Sequence, residues 1–208
     1  MTFDPNEVQL GPAIPRQAIA AAVLIFDTDP ALWNCLFSND VHSALRFFGE
    51  EWQAEESVFS YSLCTGPTLD GELMGIELGF DRPTQKRYRS GTGQRGGACL
   101  SPETLKGLSE NAGYISYLIP PIPKEVYYIQ FLSIAPQVRG RGLGGRLLGN
   151  AFKRAKREGY KACQLDVSSD SQAVEFYLRM GMEVLSESRV VPLEERGVHI
   201  HYRMVRAL

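Results

Sequence analysis

The sequence is poor in the residues that build redox and metal chemistry: its 208 positions hold four cysteines and three histidines. Cys35, Cys64, Cys99 and Cys163 lie far apart, with no C-x-x-C pair and no zinc spacing. They read as reduced, partly buried thiols rather than a disulfide framework or a metal site. His199 and His201 fall on one face of a strand-like stretch without a third ligand in evidence, so no metal is expected. Long apolar runs are missing as well. The run at 18–26 has nine residues, too few to span a bilayer. Asp4 and Glu7 precede it instead of a basic region, and no small-residue cleavage site follows. Neither a membrane span nor a signal peptide is expected, and the chain reads as cytoplasmic. A net charge of −2 argues against a nucleic-acid binder. Internal repeats and low-complexity tracts are absent. With 44% hydrophobic and 22% charged residues, the composition is globular, and the length suits one domain with a real core.

What is present is concentrated at 127–160, YYIQFLSIAPQVRGRGLGGRLLGNAFKRAKREGY. An apolar strand-like segment leads through an arginine- and glycine-bearing loop into an amphipathic helix. Between 137 and 161, eight basic residues face Glu158 alone, which leaves −9 on the rest of the chain. A helix N-terminus exposes free N–H groups and the positive end of the helix dipole, so this unit suits phosphate or pyrophosphate. For 153–157 the basic residues read as a solvated helix face.

Taken in order, 8–10 reads as a first strand. Helices follow at 15–26, 30–37 and 41–55, the last with Leu45, Phe48 and Trp52 at helical spacing. A strand pair is expected at 59–65 and 72–80, with Gly66-Pro67 in the connecting loop and Asp70-Gly71 as a hairpin signal. The segment 81–124 reads as an insertion shaping a substrate pocket. It opens on a polar Gly- and Arg-rich loop and continues in a helix capped by Ser101-Pro102-Glu103. Strands at 127–134 and 162–167 enclose the helix that starts at Leu143, whose Leu143, Leu147, Leu148, Ala151, Phe152 and Ala155 form one stripe. This βαβ unit requires parallel strands and a right-handed crossover. A further helix begins at 168–170, and strands at 183–188 and 198–205 close the chain. The fold class is therefore α/β: a central twisted mixed sheet of six to seven strands flanked by helices, as one domain over 1–208.

The loop Gly140-Arg141-Gly142-Leu143-Gly144-Gly145 satisfies G-x-G-x-x-G, with Asp166 about twenty residues on, so an NAD-binding oxidoreductase must be weighed. Against it, five residues separate strand from glycines, and too little chain follows the second strand to complete such a sheet. The absence of G-K-[ST] excludes a Walker loop. Gln137-Val138-Arg139-Gly140-Arg141-Gly142, preceded by Leu132-Ser133-Ile134-Ala135-Pro136, resembles the Q/R-x-x-G-x-G/A signature of the GNAT superfamily of acyl-CoA N-acyltransferases. So does the run from Asp170 through Ala173 to Tyr177, followed by Arg179-Met180-Gly181-Met182. Asp170 stands where that family usually has Asn, which bears on a polar cofactor contact. Met182 stands where it has Phe, a change of packing.

The resemblance implies acetyl-CoA as co-substrate, no metal, and transfer of an acyl group to the amine of a small molecule or peptide. It implies backbone hydrogen bonds from Leu132, Ser133 and Ile134 to the pantetheine arm. The pyrophosphate contacts would come from Gln137, Val138, Arg139, Gly140, Arg141, Gly142, Leu143, Gly144 and Gly145, and a further contact from Asp170. Tyr177 would protonate the departing thiolate, although by pattern alone it is a core tyrosine. Glu125, Tyr127, Tyr128, Gln130 or a water relay could take the amine's proton. Asp166 reads as a structural strand-end residue. Arg87, Arg89 and Arg95 could meet an acidic acceptor or be solvated. A non-catalytic acyl-CoA sensor is the rival from another class. A two-fold homodimer is the default assembly.

Overall fold

The computed structural model describes residues 8–208, leaving out the side chains of 96–99, so Cys99 lies outside the described side chains. Among the described residues, no single helix is long and apolar enough to cross a membrane. No group of three or more His, Cys, Asp or Glu is placed to hold a metal.

The strands are β1 (Gln9–Pro12), β2 (Cys64–Leu69), β3 (Glu72–Leu73), β4 (Gly75–Phe80), β5 (Val126–Ile134), β6 (Ala162–Ser168), β7 (Glu183–Ser188) and β8 (His201–Ala207). They form one eight-stranded sheet in the order β1-β2-β4-β5-β6-β8-β7, with the two-residue β3 paired to β2 off this path. The sheet is mixed: β5 and β6 run parallel, and the other pairs are antiparallel. Asp70 and Gly71 both take positive φ, the turn geometry that joins β2 to β3 with the right twist. Gly66-Pro67, expected in a loop, instead lies inside β2. A Cβ at Gly66 would stand 2.5 Å from the Gly75 carbonyl, so the glycine serves close strand packing rather than a turn. The stretch 59–63 is not strand, and a short 3-10 turn covers Tyr61–Leu63.

Two helical layers cover the sheet. On one side lie α1 (Ala18–Phe26), α2 (Pro30–Leu36), α3 (Val41–Gln53), α4 (Arg82–Cys99) and α5 (Pro102–Leu118). Here Trp33, Phe48, Phe59 and Phe131 meet in one aromatic cluster. On the other side lie α6 (Leu143–Arg157) and α7 (Ala173–Arg179), while the four-residue α8 (Val191–Glu194) precedes β8. The six-residue stripe expected on α6 is buried without exception, each Leu or Phe worth about 1.5–3 kcal/mol of transfer free energy.

The Gly-rich stretch expected to be a loop is the helix α4. Asp81 accepts the Thr84 N–H at 2.9 Å to start it. Arg95 then grips the buried Glu51 with Nε at 2.8 Å and Nη2 at 3.0 Å. These long-range contacts outweigh the helix penalty of the glycines, about 1 kcal/mol each. Arg154 also departs from the solvated reading: it bonds the buried Glu77 at 2.7 Å and Thr65 at 3.0 Å, pinning α6 to the sheet.

Candidate active site

The site follows from how β5 leaves its neighbours. It pairs with β6 only over Val126–Tyr128, opposite Ala162–Gln164, while β6 continues beside β8 to Ser168. Beyond Tyr128 the two parallel strands diverge. On the other flank, Leu78 faces Phe131 and Gly79 faces Ile129, so Gln130 is the extra residue of a β-bulge. Past the bulge, Ala135 N–H donates to Met74 O at 2.9 Å. Because antiparallel hydrogen-bonded pairs alternate, Ser133 commits its backbone to Ile76. Leu132 and Ile134 turn theirs to the open side. Of the three backbone positions expected to meet a ligand, two therefore face the gap and one does not.

The gap opens into a cleft of about 1050 Å³, at the upper end of ligand-pocket sizes. The side chain or backbone of Leu132, Ser133, Ile134, Val138 and Arg139 contributes to its wall, as do Gly140, Gly142, Leu143, Gly144 and Gly145. Gly142 is the N-cap of α6 at φ 79°, ψ −3°, with no side-chain cap, a conformation that costs other residues about 1–2 kcal/mol. The first N–H groups of α6 are thereby left to whatever anion enters the cleft. A Cβ on Gly140 or Gly142 would meet nothing within 4 Å. It is therefore backbone conformation, not crowding, that asks for glycine here.

Three expected contacts stand elsewhere. Gln137 and Arg141 are exposed and off the cleft wall. Asp170 also lies outside it, accepting from Ser168 Oγ at 2.6 Å and standing 3.2 Å from His199 Nε2. Arg139 is on the wall, but its guanidinium is engaged: Nε donates to Ile134 O at 2.7 Å, and Nη2 bonds Asp27.

Tyr177 is buried on α7 and lines the same cleft. Burial pushes its phenol well above the ordinary range, so it stays protonated at any physiological pH. Among the base candidates, Tyr128 and Gln130 reach the wall, whereas Tyr127 bonds Glu77 at 2.8 Å and Glu125 is exposed at the far end of the strand. Tyr128 donates to Asp166 at 2.8 Å, and Asp166 holds Arg203 through both carboxylate oxygens at 2.7 Å. Asp166 is thus a buried structural partner.

Several wall residues carry no signal in the sequence. The turn between α1 and α2 is held across the mouth of the cleft twice, by Asp27 to Arg139 and by Asp29 Oδ2 to His201 Nε2 at 2.8 Å. Asp29 also caps α2 through Leu32 N–H at 3.0 Å. Trp33, Phe59 and Phe131 add an aromatic wall, and Gln85, Arg89, Ile115 and Ile119 bring the 81–124 segment to the cleft. The last strand begins at His201 rather than at 198. His201 is inside, whereas the side chain of His199 is 55% exposed.

Burial disfavours charge on His201, but its hydrogen bond to Asp29, the charge of that carboxylate and the His199 carbonyl together raise its pKa above the usual histidine value. A raised folded-state pKa stabilises below the unfolded value, about 6.5, and the contribution fades as pH rises through the folded pKa. Thermal unfolding followed from pH 6 to 9 should show Tm falling in that window. His201→Gln should flatten the dependence; an unchanged slope would deny the ion pair.

Residues 79–182, half of the chain, match the family model described as Acetyltransferase (GNAT) family. An N-acetyltransferase of Methanocaldococcus jannaschii, itself described as uncharacterized, is 38% identical over 61 residues. That match covers 29% of this chain and about a quarter of the relative's length. Among solved structures, an N-acetyltransferase from Staphylococcus aureus Mu50 superposes with a TM-score of 0.70 at 14% identity, covering 95% of this chain and all of that one. The PaiA N-acetyltransferase of Thermoplasma acidophilum, solved in complex with coenzyme A, gives 0.58 at 15% identity, covering 97% and 99%.

Proposed function

The chain belongs to the acetyltransferase (GNAT) family, and from that membership we propose that it transfers an acetyl group from acetyl-CoA directly to a primary amine. The observation that carries the proposal is the coincidence, in one cleft, of the open edge of β5, the αL-capped N-terminus of α6 and the buried Tyr177. Acetyl-CoA supplies the thioester whose acyl carbon the neutral amine attacks.

The residues present suit that donor. Free N–H groups at Leu143, Gly144 and Gly145 would receive the pyrophosphate, with the local basic charge adding to the helix dipole. Leu132 and Ile134 would pair with the amide groups of the pantetheine arm. The Ile134 carbonyl already accepts from Arg139, so its N–H is the group left for this. Tyr177 would donate to the departing thiolate. The cleft carboxylates Asp27, Asp29 and Asp166 are already engaged by Arg139, His201 and Arg203 respectively, so we assign removal of the amine's proton to water within the open cleft.

Ligand-dependent melting tests the donor. At a hundredfold excess over Kd, a ligand specific to the folded state adds about 2.7 kcal/mol, a Tm rise of roughly 5–10 °C for a chain of this size. Acetyl-CoA should produce it and NAD should not; the reverse result would discard the proposal. If acetyl-CoA binds but no amine from a broad panel releases thiol, the chain is a binding module instead.

A further inference from the structure

The wall of the cleft has an unbalanced charge. Among the described residues, it holds three carboxylates, and each is committed: Asp27 to Arg139, Asp29 to His201 and Asp166 to Arg203. Arg179 lies 3.7 Å from Glu175 on the helix that carries Tyr177. Arg89 is different. It lines the cleft from α4, with Gln85 one helical turn before it on the same face, and has no ion-pair partner among the described residues. The helix bears Arg82, Lys86, Arg87, Arg89 and Arg95 and no acid. Among the described residues, only Arg95 is neutralised in place, by Glu51.

The helix that carries Arg89 is tied to the bulge of β5 through a short chain of contacts. Thr92 Oγ1 accepts the Val58 N–H at 3.3 Å, and Val58 O accepts from Gln130 Nε2 at 3.3 Å. Gln130 is the bulge residue where β5 opens. Between the two, Phe59 stacks on Phe131 at 5.5 Å, with Trp33 6.0 Å from Phe131. An amine delivered to the bulge would lie along aromatic surface with its far end toward Arg89.

We propose that Arg89, assisted by Gln85, selects acceptors whose amine is accompanied by an anionic group on an apolar body, a carboxylate above all. The inference rests on the acyl-transfer reading. A guanidinium binds carboxylate or phosphate in a forked geometry. A polyamine would find no uncommitted carboxylate and would face repulsion.

The test compares acetylation of matched pairs by the full-length enzyme: phenylalanine with phenethylamine, phosphoethanolamine with ethanolamine, and spermidine alone. Each is measured in wild type and Arg89→Gln, so that the intrinsic reactivity of each amine cancels. The kcat/KM ratio of anionic to neutral member should fall about tenfold in the variant, the equivalent of about 1.4 kcal/mol. A larger fall for the carboxylate pair identifies that group; a larger fall for the phosphate pair overturns the preference stated here. Equal ratios in the two proteins, or spermidine as the best substrate, overturn the proposal while leaving acyl transfer intact. If no amine releases thiol although acetyl-CoA binds, the transferase reading fails, and this inference with it.

Discussion

Tyr177→Phe is expected to lower kcat by about a hundredfold, the lower end of what one positioned proton donor contributes, while the KM for acetyl-CoA stays near its wild-type value. The split follows from geometry. The ring is buried in an apolar cluster with Leu148, Phe152, Leu165 and Met182, a space phenylalanine fills equally well. The hydroxyl has no hydrogen-bond partner among the described residues, so its removal orphans nothing and Tm should move little. The cofactor contacts proposed above lie on β5 and the start of α6, not on the helix that carries the phenol. Stopped-time assays of thiol release, run with the melting curve of the same variant, distinguish a lost catalytic proton from a lost fold. An unchanged kcat would return Tyr177 to the role its helical spacing first suggested, a core aromatic. Because burial raises the phenol's pKa, the wild-type rate should show no alkaline limb from this residue in the ordinary assay range.

How much of this was legible before the structure depended on the range of the interactions. The β5–α6–β6 unit is dictated locally. Apolar periodicity sets the helix, glycines at 140 and 142 take positive φ, and the short connection forces a parallel crossover. All of it is visible within about forty residues. The helix α4 was not legible, because four glycines in its sequence argue for a loop and the forces that overrule them come from Glu51 and Val58, more than thirty residues away. The mouth of the cleft was equally hidden. Asp27 meets Arg139 across 112 positions and Asp29 meets His201 across 172; in the sequence both acids belong to a turn signal, Asp27-Thr28-Asp29-Pro30. Arg139 is the instructive residue. Its motif position pointed to a phosphate, yet in the folded chain it braces the last β5 carbonyl against the α1–α2 turn, holding in shape the loop proposed to receive the anion.

The largest stability effect is expected from Arg203→Met, which should cost about 3–5 kcal/mol because it strands a buried carboxylate. At roughly 2–4 °C per kcal/mol for a chain of this length, Tm would fall by about 6–20 °C. The side chains of Arg203 and Asp166 are 4% and 2% exposed, so water cannot replace the lost partner cheaply. The guanidinium also reaches Gln164 at 3.2 Å and the Pro120 carbonyl at 2.6 Å, tying β8 to β6 and to the end of the 81–124 segment. Loss of that last contact frees the segment that walls the acceptor side, so the acceptor KM should rise in surviving enzyme while the acetyl-CoA KM holds. Burial of the pair is itself expensive, and an apolar substitute of similar volume avoids that cost. Asp166→Leu combined with Arg203→Met should therefore recover most of the stability lost by the single variant, with Tyr128 left lacking its acceptor as the residual cost. Stability should return in the double variant while the raised acceptor KM persists, because no apolar side chain can hold the Pro120 carbonyl. If Arg203→Met alone costs less than about 1 kcal/mol, the pair behaves as a surface ion pair would, and its role in tying β8 to β6 and to Pro120 is refuted.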